Sequence, residues 1–131
     1  NGDGTGGHAA KWYGICNGVA TELSDCSSEL DYNVPDEADN GLKHYSCTIS
    51  MAKTSYPDTG GSQFFLVPED STPDHLDGVH TVFGKISSGC DIVTDISEVP
   101  TGQQDKPVYD VTIESTAFIG QVETKPWYKF W

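Results

Sequence analysis

The apolar runs of this chain have the length of strands. They read CTISMA at 47–52, QFFLV at 63–67, HTVFGKI at 80–86 and VYDVTIE at 108–114. The last alternates, with Tyr109, Val111 and Ile113 on one side and Asp110 and Thr112 on the other, the period of a half-buried strand. One stretch has helical spacing instead: in GCDIVTDISEV at 89–99, Ile92, Val93 and Ile96 form an apolar stripe. Residues 8–46 read mostly as loop. This order predicts a mainly β domain with one short helix, closed as a barrel or sandwich. Within it GGSQFFL, residues 60–66, is unusual. Successive strand side chains point to opposite faces, so Phe64 and Phe65 cannot share a core. Gln63 and Phe65 fall on one face, where a carboxamide beside an aromatic ring suits a binding surface better than a sealed interior. Phe64 and Phe83 read as ordinary core aromatics.

At 131 residues the chain is one domain's worth, able to bury roughly two thirds of its unfolded surface. Its 20 acidic residues against 7 basic ones give a net charge of −13, and all the basic residues are lysines. Such a surface is a poor partner for nucleic acid or anionic membrane. No apolar stretch approaches the roughly 18 residues of a membrane span, so no membrane insertion is expected. Acidity of this kind favours solubility where salt is high or outside the cell. The chain begins at Asn1 rather than Met and carries no signal peptide, as expected of a processed or incomplete product.

Cysteines at 16, 26, 47 and 90 match no tight zinc spacing. Cys16 and Cys26 flank the polar loop CNGVATELSDC, where a disulfide closes easily and stabilises by about 3 kcal/mol. Cys47, in an apolar run, and Cys90, at a helix start, read as small buried thiols, free and inert. A disulfide implies an oxidising compartment, so the expected location is extracytoplasmic, whether periplasmic, secreted or at the cell surface; the cytoplasm of a high-salt organism is the alternative. The leading NGDGTGG is a glycine-rich loop that must pass close to something. Its resemblance to a calcium loop ends at Trp12, where a bidentate acid would be required. The four histidines show no ligand spacing, no metal is expected, and Ser62 has no His and Asp arranged around it as a hydrolase requires.

Several blocks resemble one family in order and in spacing. SMAKTSYPDTGGSQFFL, HLDGVHTVFGKI and SGCDIVTDI are similar to the central blocks of cyclophilins, the peptidyl-prolyl cis-trans isomerases, and NGDGTGG and VPDEADNGLKH resemble the segments before them. The resemblance runs from Asn1 to about Ile113. It implies an antiparallel β-barrel of eight strands capped by two helices, of which this chain matches the C-terminal two thirds. The first strands, the first helix and the strand with the catalytic arginine have no counterpart here. Residues 1–120 are thus expected to form a partial cyclophilin-like domain with a Cys-flanked insertion at 8–34, followed by an aromatic tail at 121–131. A barrel lacking its first strands exposes edges and an open core. Either a separate N-terminal polypeptide or neighbouring chain completes it, or the sequence is a fragment of a longer product.

The same resemblance assigns roles. Gln63 is the carboxamide that bonds the substrate backbone, and Phe65 forms part of the floor of the proline pocket. Leu76 and His80 match the pocket wall. The main chain of Ala52, Lys53 and Thr54 matches the segment that pairs with an extended substrate, Lys53 standing where the family more often has asparagine. His75 stands where many members have tryptophan, and the loop at Ser55 and Tyr56 is one residue longer than usual. The substrate class is proline-containing peptide or protein segments, no cofactor is expected, and the function implied is prolyl isomerisation in assisted folding. Without an arginine, whose planar fork a lysine cannot copy, the isolated chain is expected to turn over little. The alternative is a non-catalytic prolyl-peptide-binding or structural module within an assembly. Four aromatics in the last five residues of the tail QVETKPWYKFW suit docking on this domain or on a neighbour, with Trp127 and Trp131 as anchors.

Overall fold

The computed structural model describes residues 6–119. The first five residues of the glycine-rich segment and the aromatic tail with Trp127 and Trp131 lie outside the described residues. Two short strands, β1 (Ile15–Cys16) and β2 (Val19–Ala20), form an antiparallel ribbon. Three more, β3 (Thr48–Met51), β4 (Phe64–Leu66) and β5 (Val82–Lys85), form an antiparallel sheet in the order β4-β3-β5. One helix, α1 (Cys90–Ser97), follows β5. Three of the four runs read as strands in the sequence therefore lie in one sheet, and the helix falls where its apolar stripe places it.

Register decides which side chains share a face. Ser50 pairs with Phe65 on one side and Val82 on the other, so these three point the same way. That face is covered: Ser50, Val67 and Val82 are buried, with the ring of His44 among them. Met51 pairs with Phe64 and Ile49 with Leu66 on the opposite face. There Phe64 is 42% and Leu66 37% exposed, and Phe83, at the irregularity of the β3–β5 ladder, is 51% exposed. This corrects the reading of Phe64 and Phe83 as core aromatics. Their alternation is that of a core face, but no described residue seals it.

The polar insertion and the acidic stretch are stitched to the rest of the fold by side chains and by one isolated backbone bridge, in which the Val34 amide donates to the Gly60 carbonyl. Asn33 accepts from the Gly18 amide and donates to the carbonyls of Thr59 and Gly60. Thr81 accepts from the Glu37 amide, and Asn40 donates to the Val82 carbonyl.

Both cysteine pairs are bonded. Cys16–Cys26 closes the loop expected from the sequence. Cys47–Cys90 is a second disulfide, with Cα atoms 5.8 Å apart, and this corrects the reading of those two thiols as free. The Cys47 amide donates to the Val67 carbonyl and its carbonyl accepts from the Ile86 amide, so it sits where β3 enters the sheet. Gly89, at φ 81°, turns the chain into α1 so that Cys90 faces that point. Across 43 residues such a link stabilises by about 4 kcal/mol in the chain-entropy account.

The alternating run at 108–114 is not a strand. Val108 donates to the Pro100 carbonyl, and beyond it Tyr109 is 82% and Ile113 68% exposed. A strand draws its hydrogen bonds from a neighbouring edge, and among the described residues none lies beside this run.

Candidate functional site

The site begins where two backbones cross. A Cβ on Gly61 would stand 2.8 Å from both C and O of Gly7 and 2.9 Å from Cα of His8. No side chain fits there, which is why glycine precedes Ser62 and Gln63. The glycine-rich segment, with Gly7 at φ 96°, therefore lies directly over the entry to β4. From there Gln63 is fixed through its main chain: its carbonyl accepts from the Ala52 amide at 2.9 Å, extending the β3–β4 ladder by one rung.

Two residues on, Phe65 is half-buried between two imidazoles. The ring of His80 meets it edge-on, with centroids 5.8 Å apart and planes at 82°. The ring of His44 lies parallel to it at the same separation, within 4°. His80 Nδ1 is 3.1 Å from the Met51 carbonyl oxygen, which only accepts, so Nδ1 carries the proton. Leu76 closes the short turn before His80, and its carbonyl accepts from the amides of Val79 and His80.

Behind Phe65 runs a polar chain that sequence reasoning missed. Asp77 Oδ1 accepts from the His44 amide at 2.8 Å and lies 2.9 Å from His44 Nδ1. His44 Nε2 lies 3.0 Å from Ser50 Oγ. The His44 amide, then its ring, holds the Asp77 carboxyl below the usual carboxylate range, against the opposing effect of partial burial, with Lys43 adding a smaller attraction. A serine, a histidine and a carboxylate in line have the geometry of a nucleophilic relay, yet Ser50 is fully buried and meets no substrate. The one sequence signal for this chain was a serine inside an apolar strand. Nothing in the sequence joins residue 44 to residue 77.

The segment 52–54 has a different character. The Lys53 ammonium is 3.1 Å from Asp36 Oδ2 and donates to the Tyr56 carbonyl, and only 4% of its side chain is exposed. Asp36 and Asp58 each accept the other's amide, so the lysine is clamped at a doubly bonded turn. The Thr54 amide donates to Thr59 Oγ1. Ala52 and Thr54 thus spend their N–H groups within the chain, while Lys53 turns toward a groove of about 760 Å³ lined by Tyr13, Val34, Met51 and Phe83. That groove adjoins the open face of the sheet, not the face of Phe65. The structure brings the rings of Phe65 and His80 into contact, places Gln63 two residues before Phe65 and Leu76 in the turn that leads to His80, and sends the Lys53 side chain elsewhere. Among the described residues no group of three or more His, Cys, Asp or Glu side chains is arranged to hold a metal.

The family model for cyclophilin type peptidyl-prolyl cis-trans isomerases matches residues 3–118. The chain is 41% identical over 97 residues to peptidyl-prolyl cis-trans isomerase-like 1 of Gibberella zeae, covering 74% of this chain and 59% of that protein. It is 40% identical over 93 residues to peptidyl-prolyl cis-trans isomerase A of Dickeya dadantii, covering 66% of this chain and 49% of the relative. The chain thus spans about half the length of these relatives. A crystal structure of a Cryptosporidium parvum cyclophilin type isomerase, obtained in the presence of the dipeptide Ala-Pro, superposes with a TM-score of 0.52 at 28% identity, covering 79% of this chain and 67% of that one. A match over nearly the whole chain, with a solved relative of the same fold, places this protein in the cyclophilin-type peptidyl-prolyl cis-trans isomerase family.

Proposed function

We propose that this chain carries the proline seat of a peptidyl-prolyl cis-trans isomerase acting on proline-containing peptide or protein segments. The observation that carries the reading is the edge-on meeting of Phe65 and His80 two residues from Gln63. A proline ring needs an apolar floor, and a twisted amide needs a donor beside it. Rotation about the peptide bond faces a barrier of about 18 to 20 kcal/mol, so stabilising the twisted state through placed donors in a water-poor seat is enough for catalysis, with no nucleophile. Gln63 supplies the carboxamide, Phe65 the floor, and Leu76 and His80 the wall. The main chain at 52–54 lies beside an extended substrate.

The cation that polarises the prolyl nitrogen comes from residues other than these 131, in the same polypeptide or in a partner. Two facts support this: the sequence holds no arginine, and the matched segment covers only 59% and 49% of these relatives. The same additional segment covers the open face at Phe64, Leu66 and Phe83. Two formed disulfides fit an oxidising compartment, and on that basis we assign the protein an extracytoplasmic location.

The test is a prolyl-peptide isomerisation assay on this chain alone and together with an N-terminal cyclophilin segment that bears the arginine. Peptide binding by the chain alone with turnover only on complementation is expected. Binding without turnover in both samples would reduce the protein to a prolyl-peptide-binding module, and absence of binding would overturn the reading.

A further inference from the structure

His44 is among the most deeply buried side chains described, at 2% exposure, and both of its ring nitrogens are engaged. An ionised carboxylate only accepts, so the Nδ1 that faces Asp77 carries a proton. Nε2 is left to Ser50, whose hydroxyl donates to it in the neutral ring. Each partner is held in turn. Ser50 lies in the middle of β3, paired on both sides, and Asp77 also accepts the His44 main-chain amide. The imidazole is therefore fixed in position, plane and tautomer; turning it over would place a ring C–H against the carboxylate or the hydroxyl and leave a buried polar atom unpaired.

What this fixed ring touches gives it a consequence. Its plane is within 4° of that of Phe65, and the opposite relationship, edge to face, links Phe65 to His80. Asp77 directly follows Leu76 and precedes His80 by three residues, so the bonds that hold His44 also tie the loop bearing both wall residues to the strand. Floor and wall share one anchor. Any buried imidazole needs both ring nitrogens paired; what links this one to the seat is its parallel contact with Phe65.

We propose that His44 is a positioning residue for the proline seat: clamped between Asp77 and Ser50, its imidazole sets the plane of Phe65 and the places of Leu76 and His80. The inference rests on the assignment of Phe65, Leu76 and His80 to the seat given above. His44 does not touch the substrate and acts through Phe65.

The test is heteronuclear NMR of the 131-residue chain with labelled imidazole nitrogens and phenylalanine rings, followed by titration with Ala-Pro peptide. In the unaltered chain His44 is expected in one tautomer, protonated at Nδ1. Asp77→Ala is expected to release that tautomer, shift the ring signals of Phe65 and His80, and weaken peptide binding at least threefold. Asp77→Asn, which keeps an acceptor oxygen, is expected to restore the Phe65 signals. Ser50→Ala removes only the Nε2 contact and is expected to move the same signals less, which keeps the test decisive if Asp77→Ala does not fold. Finding Nε2 protonated and Nδ1 bare in the unaltered chain overturns the proposal, as does a change of tautomer with the Phe65 signals unmoved. If the unaltered chain binds no peptide, the seat assignment fails, while the response of the Phe65 ring still decides whether His44 positions it.

Discussion

Gly7 and Gly61 pass one another so closely that neither backbone leaves room for a side chain at residue 61, where a Cβ would stand 2.8 Å from Gly7 C and O. The crossing presses the glycine-rich segment onto the entry to β4, two residues before Gln63. Gly61→Ala is expected to lower stability by about 1 to 3 kcal/mol, the range for overpacking against atoms that cannot retreat. It should also move the backbone signals of Gln63. Denaturant titration and amide chemical shifts measure the two effects, and an alanine tolerated without either would mean that the crossing is loose.

The two disulfides should contribute unequally. The chain-entropy account gives about 3 kcal/mol for the ten-residue span of Cys16–Cys26 and about 4 kcal/mol for Cys47–Cys90. Paired replacements by serine, compared by thermal melting, should rank in that order. Loss of the second should also loosen α1 from β3, seen as faster amide exchange at Cys90 to Ser97.

Asp77 gives the fold an acid-sensitive point. Its carboxyl sits below the usual range because it accepts from the amide and ring of His44. A lowered folded-state value means that ionised Asp77 stabilises the fold in full above the ordinary carboxylate range, and that this contribution disappears as pH falls through the lower folded value. Stability followed from pH 7 downward should therefore decline in acid. In Asp77→Asn, with nothing to protonate there, the decline should be shallower.

How much of this was legible in the sequence depended on whether the cause was local. The strands at 47–52, 63–67 and 80–86 and the helix at 89–99 carry their own periodicity, and all four formed. The run at 108–114 carries an equally clear alternation and did not pair, because pairing needs an edge that no local pattern provides. Phe64 and Phe83 illustrate the same limit: their positions are those of core residues, but burial depends on what lies opposite. Cys47 and Cys90 are 43 residues apart, and their closeness follows from a turn at Gly89 and the entry of β3, both tertiary facts. Of the site, Gln63, Phe65, Leu76 and His80 were readable from family resemblance. The clamp of His44 by Asp77 and Ser50 was not, since it joins residues from three separated stretches.

The open face should behave as a sticky surface. Phe83 is 51% exposed beside Met51 and the groove. Phe83→Ser is expected to lower the stability of the isolated chain by only about 1 kcal/mol, since about half of the side chain is already exposed. It should reduce self-association, measured by sedimentation, and weaken complementation by an N-terminal segment. A large loss of stability in the isolated chain would instead mean that this face is already covered.

The proline seat is tested most directly by titrating Ala-Pro peptide into the labelled 131-residue chain and mapping the shifted signals. Saturable shifts at Gln63, Phe65, Leu76 and His80, abolished by Phe65→Ala with the fold intact, are the predicted result. Shifts confined to Met51, Lys53 and Phe83 in the groove, or no saturable shift at all, would contradict the account.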